Sequence, residues 1–479
     1  MSNIVSRAES AADLISLGTQ TTEPGMMSEF LDVAERFGVN PEEVTAYLQP
    51  GEQLTGFGAG GSESLVIFVA SPIYGDLVRK VCSEALSSAP WDPNGTGVMA
   101  PPSTKGGMQV DYLNGLPKAV RPYFPSVYNA ETRTETAADG TAVRRLVYDQ
   151  TLLAGTELST FVAEAQPTPR IVAHLHREVM ALLAEKVHPH REQLNTSESI
   201  ETSYLDKIVA RLDLSRSAAP ETFGPLLDSD RLVINDTSYR NIAELLTFFR
   251  QPHVLEMLEP KYHSLVMGDS NTENVMITNT DALLTAMTES GRPEFTYDDI
   301  GLRFLDPRAI GHNSWGGSTV DDRMYDNKPI HNTVGNYDVI HGEYFSLAIS
   351  KIADTPHIDL RANSSNPYTA PYANMANSGY FKYVMDGWKV DGQEYRQDDP
   401  NWLLRFTFMM GTHFAAMPPF HFKKGPEGNV PEDPEMQKRA IAIYCEGIKW
   451  LNRAHDMITG DRTSLYGVQL EPIVPSNRQ

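Results

Sequence analysis

Cysteine is scarce in this chain: Cys82 and Cys445 are the only two among 479 residues. Two thiols cannot make a disulfide framework, which excludes the small cross-linked secreted scaffolds and suits a reducing cytoplasm. Long apolar runs are missing as well. The longest, Leu65 to Ala70, has the length of a strand and falls far short of the roughly 18 residues of a membrane helix. The first ten residues, Met1 to Ser10, lack the apolar centre of a signal peptide, so a cytoplasmic protein with no membrane partner is expected. Basic clusters are absent too. Lys and Arg number 40 against 62 Asp and Glu, for a formal net charge of −22. A surface that binds nucleic acid needs clustered cations, so nucleic acid is not an expected partner. The thirteen histidines show no H-E-x-x-H or paired-cysteine zinc spacing, and no G-x-S-x-G nucleophile elbow occurs.

What remains is an ordinary globular composition, 41% hydrophobic and 21% charged. The length suffices for a large two-lobed core or roughly two to three domains. Residues 1–50 carry helical spacing in Ser28 to Phe37 and a proline-led turn from Pro41, and read as a helical extension. Residues 51–153 turn to strands (Leu65 to Ala70, Leu77 to Val81, Val143 to Leu153) with one helix over Met108 to Leu116. Residues 154–479 are mainly helical: Thr168 to Lys186, Glu201 to Leu214, Arg240 to Arg250, His253 to Leu258, Phe345 to Ile352, Trp402 to Ala416 and Glu435 to Ile458. Short strands interrupt them at Ser264 to Met267, Val275 to Ile277 and Leu302 to Asp306. Thr278 to Arg303 reads as an inserted hairpin, and Asp354 to Gln393, rich in Asn, Tyr, Pro and Gly, as irregular loop. The fold class expected is α+β.

The most informative stretch is Met267-Gly268-Asp269-Ser270-Asn271-Thr272-Glu273-Asn274, followed by Phe304-Leu305-Asp306-Pro307-Arg308. An aspartate five residues before an asparagine, then a second aspartate after a hydrophobic strand, is what metal-dependent phosphoryl transfer requires. The first carboxylate can orient a hydroxyl and take its proton, while the asparagine and second carboxylate can hold one or two metal ions. Upstream, Gly56-Phe57-Gly58-Ala59-Gly60-Gly61-Ser62 lets backbone amides approach phosphate oxygens. A β-branched strand follows it, so a strand–loop–strand lid is expected in place of a dinucleotide-binding turn. Lys80 shares a strand face with Val78, which suits an amine reaching ATP phosphates beside an apolar contact to adenine. Its partner is left between Gln109 and the acids, with Asp111 the first choice. Backbone groups from Gln150 to Leu153 suit an adenine edge, Leu152 and Leu153 above all.

With these residues in this order, residues 51 to 460 resemble the aminoglycoside phosphotransferase and choline kinase superfamily. Asp306-Pro307-Arg308, the stretch Asp322 to Lys328, and Gly335-Asn336-Tyr337-Asp338 are similar to a bacterial sugar-kinase-like subgroup. The resemblance implies a protein-kinase-like fold, with a small β-rich N-lobe and a large, mainly helical C-lobe. It also implies a catalytic role for Asp269 and Mg²⁺ ligation by Asn274 and Asp306. Lys80, Gly56, Gly58, Gly61 and Ser62 would hold the ATP phosphates. The implied acceptor is a hydroxyl of a small molecule: a sugar, amino sugar or aminoglycoside-like compound. Arg308, Trp315, Asp321, Asp322 and Asp326 are candidate contacts to it. The family's usual histidine before Gly-Asp is Met267 here. The alternatives are a nucleotide-binding pseudokinase and a kinase-fold enzyme that transfers the nucleotidyl group.

Overall fold

The computed structural model describes residues 47–57, 64–83, 101–136, 140, 142–192, 199–288, 293–308, 319–373, 375–376, 379–390, 393–394, 399–425 and 429–474. Residues 1–46 of the expected helical extension, and Gly58, Gly61, Ser62 and Trp315, lie outside these. The chain divides into two compact units, Met1–Ala154 and Gly155–Gln479.

Among its described residues the first unit is a five-stranded antiparallel sheet with the helix Pro102–Gly115 against it. The strands are β1 (Gln53–Phe57), β2 (Leu65–Ser71), β3 (Gly75–Ser83), β4 (Val127–Thr136) and β5 (Ala142–Thr151), in the order β1-β2-β3-β5-β4. In β2 the period of two is plain: Leu65, Ile67 and Val69 are buried and their neighbours only half so. Helix α1 (Pro102–Gly115) begins with proline at its first position, where a missing amide costs nothing. Its Val110 packs with Cys82, Leu146 and Tyr148 of the sheet. β1 and β2 pair antiparallel from Gln53↔Ala70 to Phe57↔Ile67, and residues 58–63 between them lie outside the described residues.

The second unit is built around two helices, α3 (Trp402–Ala415) and α4 (Lys438–Thr459), which follow α2 (Pro169–Leu182) in the chain. All fourteen residues of α3 are buried, the mark of a central helix, and its one charged residue, Arg405, is paired with Asp322 and Asp399. Among its described residues this unit also holds three sheets of three or four strands, besides two two-stranded ones. One orders Val320–Asp321 (β13), His263–Leu265 (β10) and Arg191–Glu192 (β7). A second orders Leu302–Phe304 (β12), Val275–Ile277 (β11) and Thr156–Glu157 (β6). The third orders Phe345–Ile352 (β14), Thr355–Ala362 (β15), Arg231–Ile234 (β8) and Thr237–Arg240 (β9).

Three expectations are corrected. Phe345–Ile352 is a strand, not a helix: it pairs residue for residue with Thr355–Ala362 across a two-residue turn. Ala353 and Asp354 both take positive φ there, the geometry that matches strand twist. The stretch after Asp354 is accordingly not all loop, since it contains β15 and the helix Tyr380–Asp386. Between Asn279 and Arg303 the chain forms a helix, Thr280–Thr288, where a hairpin was expected. Among the described residues no helix is long and apolar enough to cross a membrane.

Candidate active site

The segment Val266 to Asn274 runs from one small sheet to another, and both ends are fixed by strand pairing. Upstream, Ser264 pairs with Asp321 and Leu265 with Val320. Downstream, Val275 pairs with Phe304 and Ile277 with Leu302. Because β11 and β12 are antiparallel, the residue before one strand meets the residues after the other. Leu305 donates its amide to the carbonyl of Asn274 at 2.7 Å, and Arg308 donates to that of Met267 at 2.9 Å. Asp269, Asn274 and Asp306 are thereby gathered within one unit although 37 positions separate the first from the last.

The turn between them is held by its own polar side chains. Asn271 Oδ1 accepts the amides of Glu273 and Asn274, each at 3.1 Å, and so caps the short 3₁₀ turn Thr272–Asn274. Asn274 Nδ2 donates to the carbonyl of Asp269 at 2.9 Å. Since the amide nitrogen is spent on the loop, Oδ1 is the atom turned away from that carbonyl. Asp306 stands at φ +49°, the left-handed region that a non-glycine residue enters at a cost.

The carboxylate of Asp269 is surrounded by donors. Lys328 Nζ lies 2.7 Å from Oδ1, Arg308 Nε 3.1 Å from Oδ2, and Asn271 Nδ2 donates to Oδ1 at 3.2 Å. Arg308 Nη2 also donates to Asp306 Oδ2 at 3.4 Å, so one guanidinium touches both aspartates. Asp269 is 14% exposed, Lys328 15% and Arg308 42%. Met267 Sδ accepts the amide of Asp269 at 3.2 Å, a weak acceptor in that place.

Asp326 and Asp322 do not have the role expected of them. Asp326 is fully buried, and its carboxylate accepts the amides of Met267 and Gly268, both at 2.8 Å. His188 Nε2 is 3.0 Å from the same group. Trp388 Nε1 can only donate, and it reaches His188 Nδ1 at 3.1 Å. His188 therefore carries its proton on Nε2 and gives it to Asp326. Burial, the dominant influence, lowers the His188 pKa against the pull of Asp326, in keeping with a neutral ring. Asp322 is 2% exposed and is occupied by Arg405 at 2.5 Å, by the Tyr204 hydroxyl at 3.2 Å and by the Met324 amide at 3.0 Å. Asp326 braces the loop that carries Asp269, Asp322 ties its own turn to Arg405 and Tyr204, and neither carboxylate is open to an acceptor. Asp321, 3% exposed, is likewise closed off, with Ser203 Oγ donating to it at 3.0 Å.

In the first unit Lys80 is 8% exposed, and its amine donates to Gln109 Oε1 of α1 at 3.2 Å. The Tyr148 hydroxyl shares that oxygen. The first-choice partner, Asp111, is exposed. Arg79 takes the opposite face of β3, held by Asp149 and Glu52 at 2.6 Å each. Gly56 lies in β1, while Leu152 and Leu153 follow the end of β5, half-buried.

Lys328, Asn271 and the anchoring part of Asp326 were not singled out from sequence. Lys328 has no local signal, because it is separated from Asp269 by 59 positions and meets it only through the fold.

Comparison with protein families gives no match, and neither does comparison with curated protein sequences. Among solved structures, one from Ralstonia eutropha JMP134, provisionally named an aminoglycoside phosphotransferase, aligns with a TM-score of 0.39. The two are 11% identical over 86% of this chain and 94% of the other.

Proposed function

We propose that this chain is a cytoplasmic, ATP- and Mg²⁺-dependent phosphotransferase of protein-kinase-like fold, acting on a hydroxyl of a small molecule. The observation that carries the reading is the meeting of Asp269, Asn274 and Asp306 at the paired ends of β11 and β12, with one guanidinium spanning two of them. Asp269 orients the acceptor hydroxyl and receives its proton late, because phosphoryl transfer needs little prior deprotonation. Asn274 Oδ1 and the Asp306 carboxylate are hard oxygen donors of the kind Mg²⁺ takes, and they would hold it. When bound, Mg²⁺ supplies charge neutralisation to the phosphate oxygens. Lys80 anchors ATP phosphates, with Gln109 fixing its amine by an amide hydrogen bond. The acceptor we favour is a sugar, amino sugar or aminoglycoside-like compound, with Arg308 facing it.

The test is a panel of sugars, amino sugars and aminoglycosides incubated with protein, ATP and Mg²⁺ and read by mass spectrometry. A gain of one phosphate on one class of acceptor is expected, lost in Asp269→Asn. A gain of a whole nucleotide assigns the chain to nucleotidyl transfer. ATP binding without any product or phosphate release assigns it to the pseudokinases. Unchanged turnover in Asp269→Asn ends the reading.

A further inference from the structure

We propose that Lys328 is a positioning residue for this reaction: its ammonium fixes Oδ1 of Asp269, leaving Oδ2 as the oxygen offered to the acceptor hydroxyl. The inference rests on the phosphotransferase reading above and adds a residue to it. The contact is short, at 2.7 Å, and both side chains are about 85% shielded from water, with exposures of 15% and 14%. A charge-assisted hydrogen bond in that setting is stronger and better directed than a surface ion pair.

The lone pairs of Asp269 decide which oxygen is available. A carboxylate offers about four acceptor positions, two on each oxygen. Oδ1 has both filled, by Lys328 and by Asn271 Nδ2. Oδ2 is approached by Arg308 Nε, from a side chain 42% exposed that also reaches Asp306. A hydroxyl therefore docks on Oδ2, and the plane of the carboxylate is set by what grips Oδ1.

Lys328 is itself held in place. It opens the short helix Lys328–Asn332, directly after the buried Asp326 and Asn327. Its ammonium stands 5.3 Å from the centre of the Tyr325 ring. On that ring a second amine, Lys207, lies at 4.7 Å and donates to the phenol oxygen at 2.9 Å. Tyr325 is thus fixed through its hydroxyl and serves Lys328 through its face. His331 and His413, 3.1 Å apart and both pushed by burial well below the usual histidine range, close this region with neutral rings. They bring no charge to compete for Asp269.

The probe is MgATP hydrolysis with water as acceptor, read as phosphate release, alongside the ATP dissociation constant measured calorimetrically. Lys328→Met is expected to lower kcat about a hundredfold, the size of effect that a misplaced reacting group produces, with KM for ATP and ATP affinity changed less than threefold. Lys328→Arg should recover at least tenfold over Lys328→Met. In the Asp269→Asn background Lys328→Met should have no further effect, because the residue acts through that carboxylate. Equal losses in both backgrounds, or a Lys328→Met kcat within threefold of wild type while Asp269→Asn is inactive, would overturn the assignment and leave the phosphotransferase reading standing. Wild-type turnover in Asp269→Asn would instead remove the reading on which it rests. Should Lys328→Met fail to fold, Lys328→Arg decides: a folded Arg variant as inactive as Asp269→Asn contradicts a role met by a cation, and one within tenfold of wild type supports it.

Discussion

The carboxylate of Asp326 accepts the amide of Gly268 at 2.8 Å, from a side chain with no exposure to solvent. Gly268 stands at φ +82°, a conformation other residues resist, and the neighbouring Met267 amide points at the same carboxylate. Asp326 thus sets the backbone from which Asp269 projects. Asp326→Ala leaves both amides buried without an acceptor, at about 1–3 kcal/mol each. Asp326→Asn turns an NH₂ toward one of them. The Asn variant should unfold at lower urea concentration, by about 2 kcal/mol, and its kcat should fall about a hundredfold. Full activity in a destabilised Asn variant would separate the anchor from catalysis.

Gly155 makes a different demand, on the sheet that holds β11. A Cβ there would lie 2.2 Å from the carbonyl oxygen of Ile277 and 2.9 Å from its carbon, and backbone atoms cannot swing aside as a side chain would. Thr156 pairs with Ile277, so the close approach is how β6 docks on β11. Gly155→Ala should cost about 1–3 kcal/mol, as overpacking generally does. Because Asn274 precedes β11, phosphate release should drop with it. Thermal melts of the two proteins check the first part, and an unshifted midpoint would mean that the strand can yield.

Sequence reasoning located what depends on neighbours in the chain and lost what depends on distant ones. The D-x-x-x-x-N turn was legible because Asn and Asp cap their own backbone, as Asn271 does. The sheet of the first unit was legible from β-branched runs such as Leu65 to Ala70. The strand Phe345–Ile352 was not, since apolar residues spaced at Phe345, Leu347, Ile349 and Ile352 fit either period. Asp322 and Asp326 read as open loop acids because nothing nearby in sequence announces Arg405, His188 or Trp388 as partners. Gln109 was within reach as the partner of Lys80, but a preference for ion pairs favoured the wrong neighbour, Asp111.

Asp338 supplies a pH dependence whose sign can be worked out. Burial is the main influence and pushes its pKa up to about 7, while hydrogen bonds from Asn332 and Tyr372 work the other way and Glu273 adds repulsion. His341 lies among the charges facing it and lowers the value. The native state therefore keeps a proton that the unfolded chain has released between about pH 4 and 7. Stability from this group declines as pH rises through that window and is level above it. Asp338→Asn removes the decline, so its melting temperature relative to wild type should rise by about 2–4 °C between pH 5 and pH 8. Glu178, also pushed up to about 7 by burial, is present in both proteins and cancels from the comparison. A difference that stays constant with pH would show that Asp338 is ionised throughout.

Asp306 permits fold and chemistry to be tested separately. At φ +49° an ordinary side chain is strained by about 1 kcal/mol, and glycine is not. Asp306→Gly should therefore melt at the wild-type temperature or slightly above it, and Asp306→Asn should stay close to wild type, since asparagine tolerates this region. Neither keeps a carboxylate beside Asn274. If Asp306 holds the metal ion, Mg²⁺-stimulated phosphate release should fall by about a thousandfold in both, equivalent to the several kcal/mol that a bound cation contributes to charge stabilisation. A Mg²⁺ titration of phosphate release, run beside a melt, reads both properties. Wild-type stimulation in a folded Asp306→Asn variant would transfer the metal to other ligands. Loss of stimulation with an unchanged melting point would place it on Asp306, 3.4 Å from a guanidinium that must then give way.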